Sequence, residues 1–119
     1  MYIENTVRYQ AKSQEAGEEY AMMLPPGGHL VRDSQGQVYT VAMFHQMRCL
    51  DIIREDYATR RASPLRMHCL NYLRQSILCM ADTRLESILQ TGNRTVSLSS
   101  DYVCRDWTAL YAAVEANGI

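Results

Sequence analysis

Two segments, each carrying a histidine and a cysteine within a helical pattern, constrain this chain most. The first covers residues 44–54 (FHQMRCLDIIR), where a histidine, an arginine and a cysteine lie at positions i, i+3 and i+4 and therefore share one helix face. The second covers 63–86 and has a His-Cys pair near its start. If these helices pack against each other, their polar side chains form one cluster. Its members are His45, Arg48, Cys49, His68 and Cys69.

The spacing of apolar residues predicts the helices. Thr40 is a suitable N-cap for a helix over 41–60, and Ser63-Pro64 begins a second helix that runs to Gly92. A last helix, capped by Ser99 or Ser100, ends at Asn117-Gly118.

The segment before these helices predicts a short helix and a hairpin. The short helix over 13–24 ends at Pro25-Pro26-Gly27-Gly28, and β-prone residues flank a turn at Asp33–Gly36. The fold class predicted is therefore mainly α, a compact bundle of three to four helices with a small β-hairpin.

Length, charge and hydropathy limit the number of domains, the partners and the membrane topology of the protein. We expect one domain over 1–119 with an irregular arm over 1–12, because 119 residues suffice for one core. The net charge of −1, with basic residues scattered, argues against nucleic acid as a partner. No apolar run is long enough to span a membrane, so an N-terminal anchor is expected to be absent or removed.

The four cysteines have no CxxC spacing, which argues against a zinc ribbon. Two disulfides, with three alternative pairings, and four buried thiols both fit the pattern. The sequon at Asn93 predicts a glycosylation site and favours the secretory route.

The polar side chains of the two segments allow two interpretations, one purely structural and one functional. Every surface helix has a polar side, so they could simply face solvent. A metal site needs three or more ligands, and His45 with His68 gives two unless Asp82 or a thiolate joins them. Arg48 would repel a cation there, so we expect no metal.

The two segments, the Leu-Pro-Pro-Gly-Gly turn, YTVAMFHQ and CRDWTAL together resemble the UstYa-like family of fungal secondary-metabolite enzymes over residues 20–115. Members carry two His-x-x-His-Cys motifs. The resemblance implies a tailoring step on a peptide, polyketide or terpenoid intermediate. It also implies a metal-dependent reaction in the secretory lumen by a membrane-anchored protein. For this chain we expect no cofactor, with copper as the alternative. A cytoplasmic location is the alternative to the secretory lumen.

This chain departs from the family motif in both segments. Arg48 stands where the first motif has its second histidine, and Leu65 where the second has its first histidine. The motif cysteines remain, so the resemblance predicts structural disulfides from Cys49, Cys69, Cys79 and Cys104.

These departures lead to the hypothesis of a redox-neutral ring-forming enzyme, for example for a Diels-Alder cycloaddition. The groups that would activate a substrate carbonyl or move a proton are His45, Arg48, His68 and Tyr102. The substrate would contact Met43, Met47, Leu65, Asn71, Tyr72, Gln75 and Trp107. The alternatives are a metal-dependent oxidase using His45, His68 and Asp82, and a non-catalytic partner of an active paralogue; a homo-oligomer is considered beside a monomer.

Overall fold

The computed structural model describes residues 1–90, 95–96 and 100–117. Its helices are α1 (Ala16–Ala21), α2 (Ala42–Thr59), α3 (Pro64–Met80) and α4 (Trp107–Asn117). Its strands are β1 (Tyr2–Ile3), β2 (Leu30–Arg32), β3 (Val38–Thr40), β4 (Ile88–Gln90), β5 (Thr95–Val96) and β6 (Ser100–Asp101). The predicted fold class, mainly α with a small hairpin, is confirmed.

The hairpin formed by α2 and α3 positions the candidate site. Arg60 adopts a left-handed conformation (φ 55°) and ends α2, while Ser63 and Pro64 begin α3 as predicted. The Ser63 hydroxyl does not cap its own helix. It donates to the Asp56 carboxylate of α2 at 2.7 Å, and the Ser63 N–H donates to the same oxygen at 2.9 Å. One carboxylate therefore joins the two helices at their connection.

The prediction that the second helix reaches Gly92 is wrong, because α3 ends at Met80. Ala81 takes a left-handed conformation, and the Asp82 carboxylate then accepts the backbone N–H of Arg84 at 3.0 Å. A short acidic side chain that bonds the backbone two residues on competes with helix formation. The helical spacing of apolar residues therefore continues past Met80, where α3 ends.

The last helix begins later than predicted. Ser100 belongs to β6, which pairs antiparallel with β1 in the arm that was expected to be irregular. Asp106 caps α4 instead, since its carboxylate accepts the N–H of Ala109 at 3.1 Å. An aspartate in this position satisfies one of the free N–H groups at a helix start.

The predicted β-hairpin is present as β2 and β3, which pair antiparallel from Leu30 opposite Thr40 to Arg32 opposite Val38. The Asp33 carboxylate accepts the N–H groups of Gln35 and Gln37, both at 2.9 Å, and closes the turn. The side-chain amide of Asn117 donates to the Arg32 carbonyl at 3.1 Å. The hairpin is thereby tied to the end of α4.

The buried core lies where α2 meets α3 on one side and α4 on the other. Its fully buried larger side chains are Phe44, Cys49 and Cys69. The ring of Phe44 packs edge-on against Tyr111 of α4, with centroids 4.9 Å apart. Within the described residues, the structure contains no helix of the length and apolarity that crossing a membrane requires.

Candidate active site between α2 and α3

A disulfide between Cys49 and Cys69 joins α2 to α3, and both cysteines are buried. Cys79 and Cys104 are exposed free thiols, so the prediction of disulfides from all four cysteines is wrong for this pair. Cys79 lies in the last turn of α3, whose extensive helix packing in the described chain is with α2, whereas Cys104 precedes α4.

The disulfide brings two histidines together, as the sequence predicted. The rings of His45 and His68 are nearly parallel, with centroids 5.7 Å apart and an interplanar angle of 22°. A ring nitrogen of each and the sulfur of Cys49 all lie within 4.8 Å of one another. Since a disulfide sulfur is not a thiolate, the two imidazoles are the groups of this trio that could hold a metal.

Tyr72 completes an aromatic stack with the histidines. Its ring lies 3.9 Å from that of His45, centroid to centroid, and 6.2 Å from that of His68, with angles of 22° and 3°. Tyr72 follows His68 by one helical turn, so α3 presents both rings to α2. The sequence placed Tyr72 among substrate contacts, and the structure places it against the candidate reactive imidazole.

The environment of His45 favours its neutral form. Burial is the main cause that lowers its pKa from 6.5, and the charges of His68 and His29 lower that pKa further. His29 directly precedes β2. The approach of its charge to His45 depends on the path of the loop before β2, which no local pattern in the sequence indicates.

Arg48 lies on the same face of α2 as His45, and its guanidinium is paired with a carboxylate of the same helix. Its guanidinium donates to Asp51 at 3.2 Å, and the same carboxylate accepts from Arg54 at 2.8 Å. Arg48 is 47 % exposed, whereas Arg54 and Asp51 are each only 11 % exposed. No pattern in the sequence indicates the role of Asp51, which pairs with both arginines.

Two further predicted site residues lie at other places in the fold. Tyr102 follows β6, donates its hydroxyl proton to Glu86 and lies under the Arg84 guanidinium at 3.6 Å; none of its described contacts is with a histidine. Asp82 follows the end of α3, and the helix from His68 to Met80 alone is about 18 Å long at 1.5 Å per residue. Asp82 is therefore not a ligand candidate beside the two histidines.

The predicted substrate contacts divide between two sides of α2. Met43, Met47 and Trp107 line a cavity next to α4. Leu65, Asn71 and Gln75 are exposed on α3, the helix that carries His68. The prediction of one pocket that combines the methionines with the histidines is wrong, because Met43 and Met47 occupy the face of α2 that is turned away from His45. Asn93 lies outside the described residues.

These features place the two histidines of the degenerate motifs side by side on a disulfide-linked helix pair. A profile of the family described as "Mycotoxin biosynthesis protein UstYa" matches residues 7–113. The chain belongs to this family, as the resemblance in the two segments indicated.

Several curated relatives are similar to the chain. "Oxidase ustYa" of Aspergillus flavus is 36 % identical over 86 residues, covering 65 % of this chain and 40 % of the relative. "UstYa family oxidase phomYb" of Diaporthe leptostromiformis is 36 % identical over 81 residues, covering 60 % and 32 %. "Hydroxylase cctR" of Talaromyces islandicus is 28 % identical over 91 residues, covering 68 % and 34 %. The chain thus spans well under half the length of these relatives, and no solved structure matches it.

Proposed function

We propose that this protein catalyses a tailoring oxidation of a small-molecule intermediate in fungal secondary metabolism, at the His45–His68 pair. The observation that carries the proposal is the placement of two imidazole nitrogens within 4.8 Å of each other on a helix pair closed by a disulfide. The names of the relatives, two oxidases and a hydroxylase, favour oxidation over the redox-neutral reaction that the lost motif histidines suggested.

The two imidazoles would supply two of the three or more ligands that a copper ion needs, and solvent or substrate would supply the others. Imidazole nitrogen is a ligand that copper accepts well, and a metal requires the neutral ring. The lowered pKa of His45 keeps that ring neutral at physiological pH. A bound copper ion would supply one-electron oxidation of the substrate, with dioxygen as the terminal oxidant.

The protein's own residues would orient the reactants. Tyr72 holds the ring of His45 in one plane, and the Cys49–Cys69 bond fixes the separation of α2 and α3. Arg48 is half exposed one turn beyond His45, and its guanidinium has donors in excess of the one that Asp51 accepts. It would bind a carbonyl or carboxylate oxygen of the substrate and so direct the adjoining carbon toward the histidines.

Redox-neutral ring formation is the second candidate. Two observations favour it: Arg48 and Leu65 replace two of the four motif histidines, and the disulfide removes the Cys49 thiolate as a ligand. In that reaction, neutral His45 would accept a proton, while Arg48 and His68 would donate hydrogen bonds to the substrate carbonyl as charge develops on it. The reactants would then need no electron acceptor.

Turnover of a pathway intermediate by the purified protein tests both candidates. The oxidase proposal expects activity that stops in the absence of oxygen or after chelation and returns with copper. His45→Ala and His68→Ala should each abolish it, while His29→Ala, which also removes an imidazole, should retain most of it. Activity that persists without metal and oxygen would instead support ring formation. Failure of the folded protein to turn over any intermediate would contradict both and favour a non-catalytic partner.

A further inference from the structure

A cavity lies on the opposite side of α2 from the histidines. Met43 and Met47 are one helical turn apart and share a face, whereas His45 is about 160–200° around the helix from either residue at 100° per residue. The histidine faces Tyr72 of α3, and Met47 faces α4, where its sulfur is 3.6 Å from the Tyr111 hydroxyl. The helix itself therefore separates the two sites.

The methionine face borders a cavity of about 570 Å³ between α2, α4 and the residues that follow α1. This volume lies within the range of about 300–1,000 Å³ that is usual for small-molecule sites. The residues that line it are Met1, Tyr9, Met22, Met23, Met43, Met47, Trp107 and Tyr111. We refer to it below as the methionine cavity.

The chemistry of the methionine cavity restricts what it can hold. Among the described residues, no acidic or basic side chain lines it, and the N-terminal ammonium of Met1 donates to the Tyr102 carbonyl at 2.6 Å. The Tyr111 hydroxyl already donates to the Met23 carbonyl, and burial raises the pKa of this phenol, so it stays neutral. A charged ligand would lose its hydration there and meet no side chain of opposite charge in return.

Thioethers and aromatic rings select among neutral ligands. Methionine sulfur makes favourable contacts with aromatic rings, and its unbranched side chain adapts to irregular shapes. Trp107, which is 46 % exposed, adds an indole ring, and Met22 is 75 % exposed at the cavity mouth. Both apolar side chains would lose contact with water if a ligand occupied the space between them.

We infer that the methionine cavity binds a neutral, mainly apolar small molecule with an aromatic ring or a conjugated chain. Binding there does not depend on the reaction proposed at the histidines, because no histidine contributes to the cavity. The histidine and cysteine positions of the two motifs do not line this cavity.

Trp107 is the only tryptophan in the chain, so its emission reports on this cavity. N-phenyl-1-naphthylamine, a neutral aromatic probe that absorbs where tryptophan emits, should quench Trp107 saturably with one probe per chain. Its anionic analogue 1-anilinonaphthalene-8-sulfonate should bind at least tenfold more weakly. Saturable binding that prefers the anionic probe would overturn the inference about ligand charge, and linear, non-saturating quenching would overturn the site itself.

Matched variants locate the probe. Met22→Lys puts an ammonium group at the cavity mouth, and because Met22 is 75 % exposed, the fold should tolerate it. Met67→Lys makes the same change at a methionine of α3 that is 66 % exposed and outside the cavity. We expect at least tenfold weaker probe binding in the first variant and unchanged binding in the second. Equal affinities, or weaker binding in both variants, would contradict the assignment.

Two further measurements test whether probe binding is independent of the histidines and of self-association. His45→Ala should leave probe affinity unchanged, and a loss there would contradict the separation of the two sites. Sedimentation should show the same oligomeric state for the wild type and Met22→Lys. A dimer that dissociates in the variant and binds no probe would show that a second copy covers this surface, and would overturn the inference.

Discussion

The imidazole of His45 lies against the phenol ring of Tyr72, with ring centroids 3.9 Å apart and an angle of 22° between the planes. The two residues come from different helices, and the contact is therefore a property of the α2–α3 packing. It fixes the plane of the ring whose nitrogen faces His68. Tyr72 consequently acts through His45 and is expected to be a positioning residue for the reaction.

Tyr72→Leu removes this stack, whereas Tyr72→Phe keeps it. We expect Leu to lower the free energy of unfolding by about 1 kcal/mol, the usual contribution of an aromatic pair. Turnover should fall by about ten- to a hundredfold because the ring is free to reorient. In proton NMR, the His45 ring resonances should move downfield in the Leu variant as the ring current of Tyr72 is lost. A Phe variant as impaired as Leu would instead assign the function to the hydroxyl.

The Cys49–Cys69 bond is expected to be the main covalent support of the site. It closes a loop with a sequence separation of 20, for which the entropy of the unfolded chain predicts a stabilisation of about 3 kcal/mol. The double variant Cys49→Ser/Cys69→Ser should lose this amount in denaturant unfolding and should also lose turnover, because the histidines are no longer held together.

Cys79→Ser and Cys104→Ser are the matched controls for that experiment, since both thiols are exposed. Each should change the free energy of unfolding by less than about 0.5 kcal/mol. Thiol titration of the denatured, unreduced protein should detect two reactive groups. Four groups would contradict the bond, and none would contradict the free state of the other pair.

The connection between α2 and α3 predicts a dependence of stability on pH. The Ser63 hydroxyl is the main cause that lowers the pKa of Asp56 from 3.8; its N–H and the charges of Arg66 and Arg61 add to the shift. A carboxyl whose pKa is lowered by folding stabilises the folded state above its ordinary pKa, and this contribution is lost as the pH falls through the lowered pKa.

Ser63→Ala should therefore lower the thermal midpoint at pH 7, and the difference from wild type should shrink as the pH falls below 3.8. In an Asp56→Ala background, the same substitution should have little effect at any pH, because the acceptor is absent. A difference that stays constant into the acid range would show that Ser63 acts by some other contact.

Particular residues explain which parts of the structure the sequence could predict. Ser63-Pro64 marks the start of α3 because a proline fits the first turn of a helix, and the structure agrees. The end of α3 was missed because Leu85 and Ile88 continue the apolar spacing, while the helix stops at a backbone turn closed by Asp82. A polar bond local to the turn overrides the apolar pattern there.

The candidate site was predicted in part. The i, i+4 spacing of His45 and Cys49, and the adjacent His68 and Cys69, place both pairs on facing helices, which is how the structure has them. The helical period alone separates Met43 from His45, so the two-sided arrangement could have been predicted too. Tyr102 and His29 depend on the paths of loops and strand ends, which no helical period describes.

Asp51 pairs with Arg54, which is nearly buried, and with Arg48, which is half exposed. We expect the first ion pair to be structural and Arg48 to be functional, and two substitutions test this. Asp51→Ala leaves the guanidinium of Arg54, only 11 % exposed, without its carboxylate, and should lower the free energy of unfolding by about 3 kcal/mol. Arg48→Ala removes the partner that is 47 % exposed, and should cost less than about 1 kcal/mol.

If Arg48 binds the substrate oxygen, the nearly neutral variant Arg48→Ala should nevertheless lose about ten- to a hundredfold in kcat/KM, as expected for a lost charge-assisted hydrogen bond. Arg48→Lys keeps the charge and should recover part of that loss. A stable Arg48→Ala variant with wild-type kcat/KM would limit Arg48 to its ion pair with Asp51.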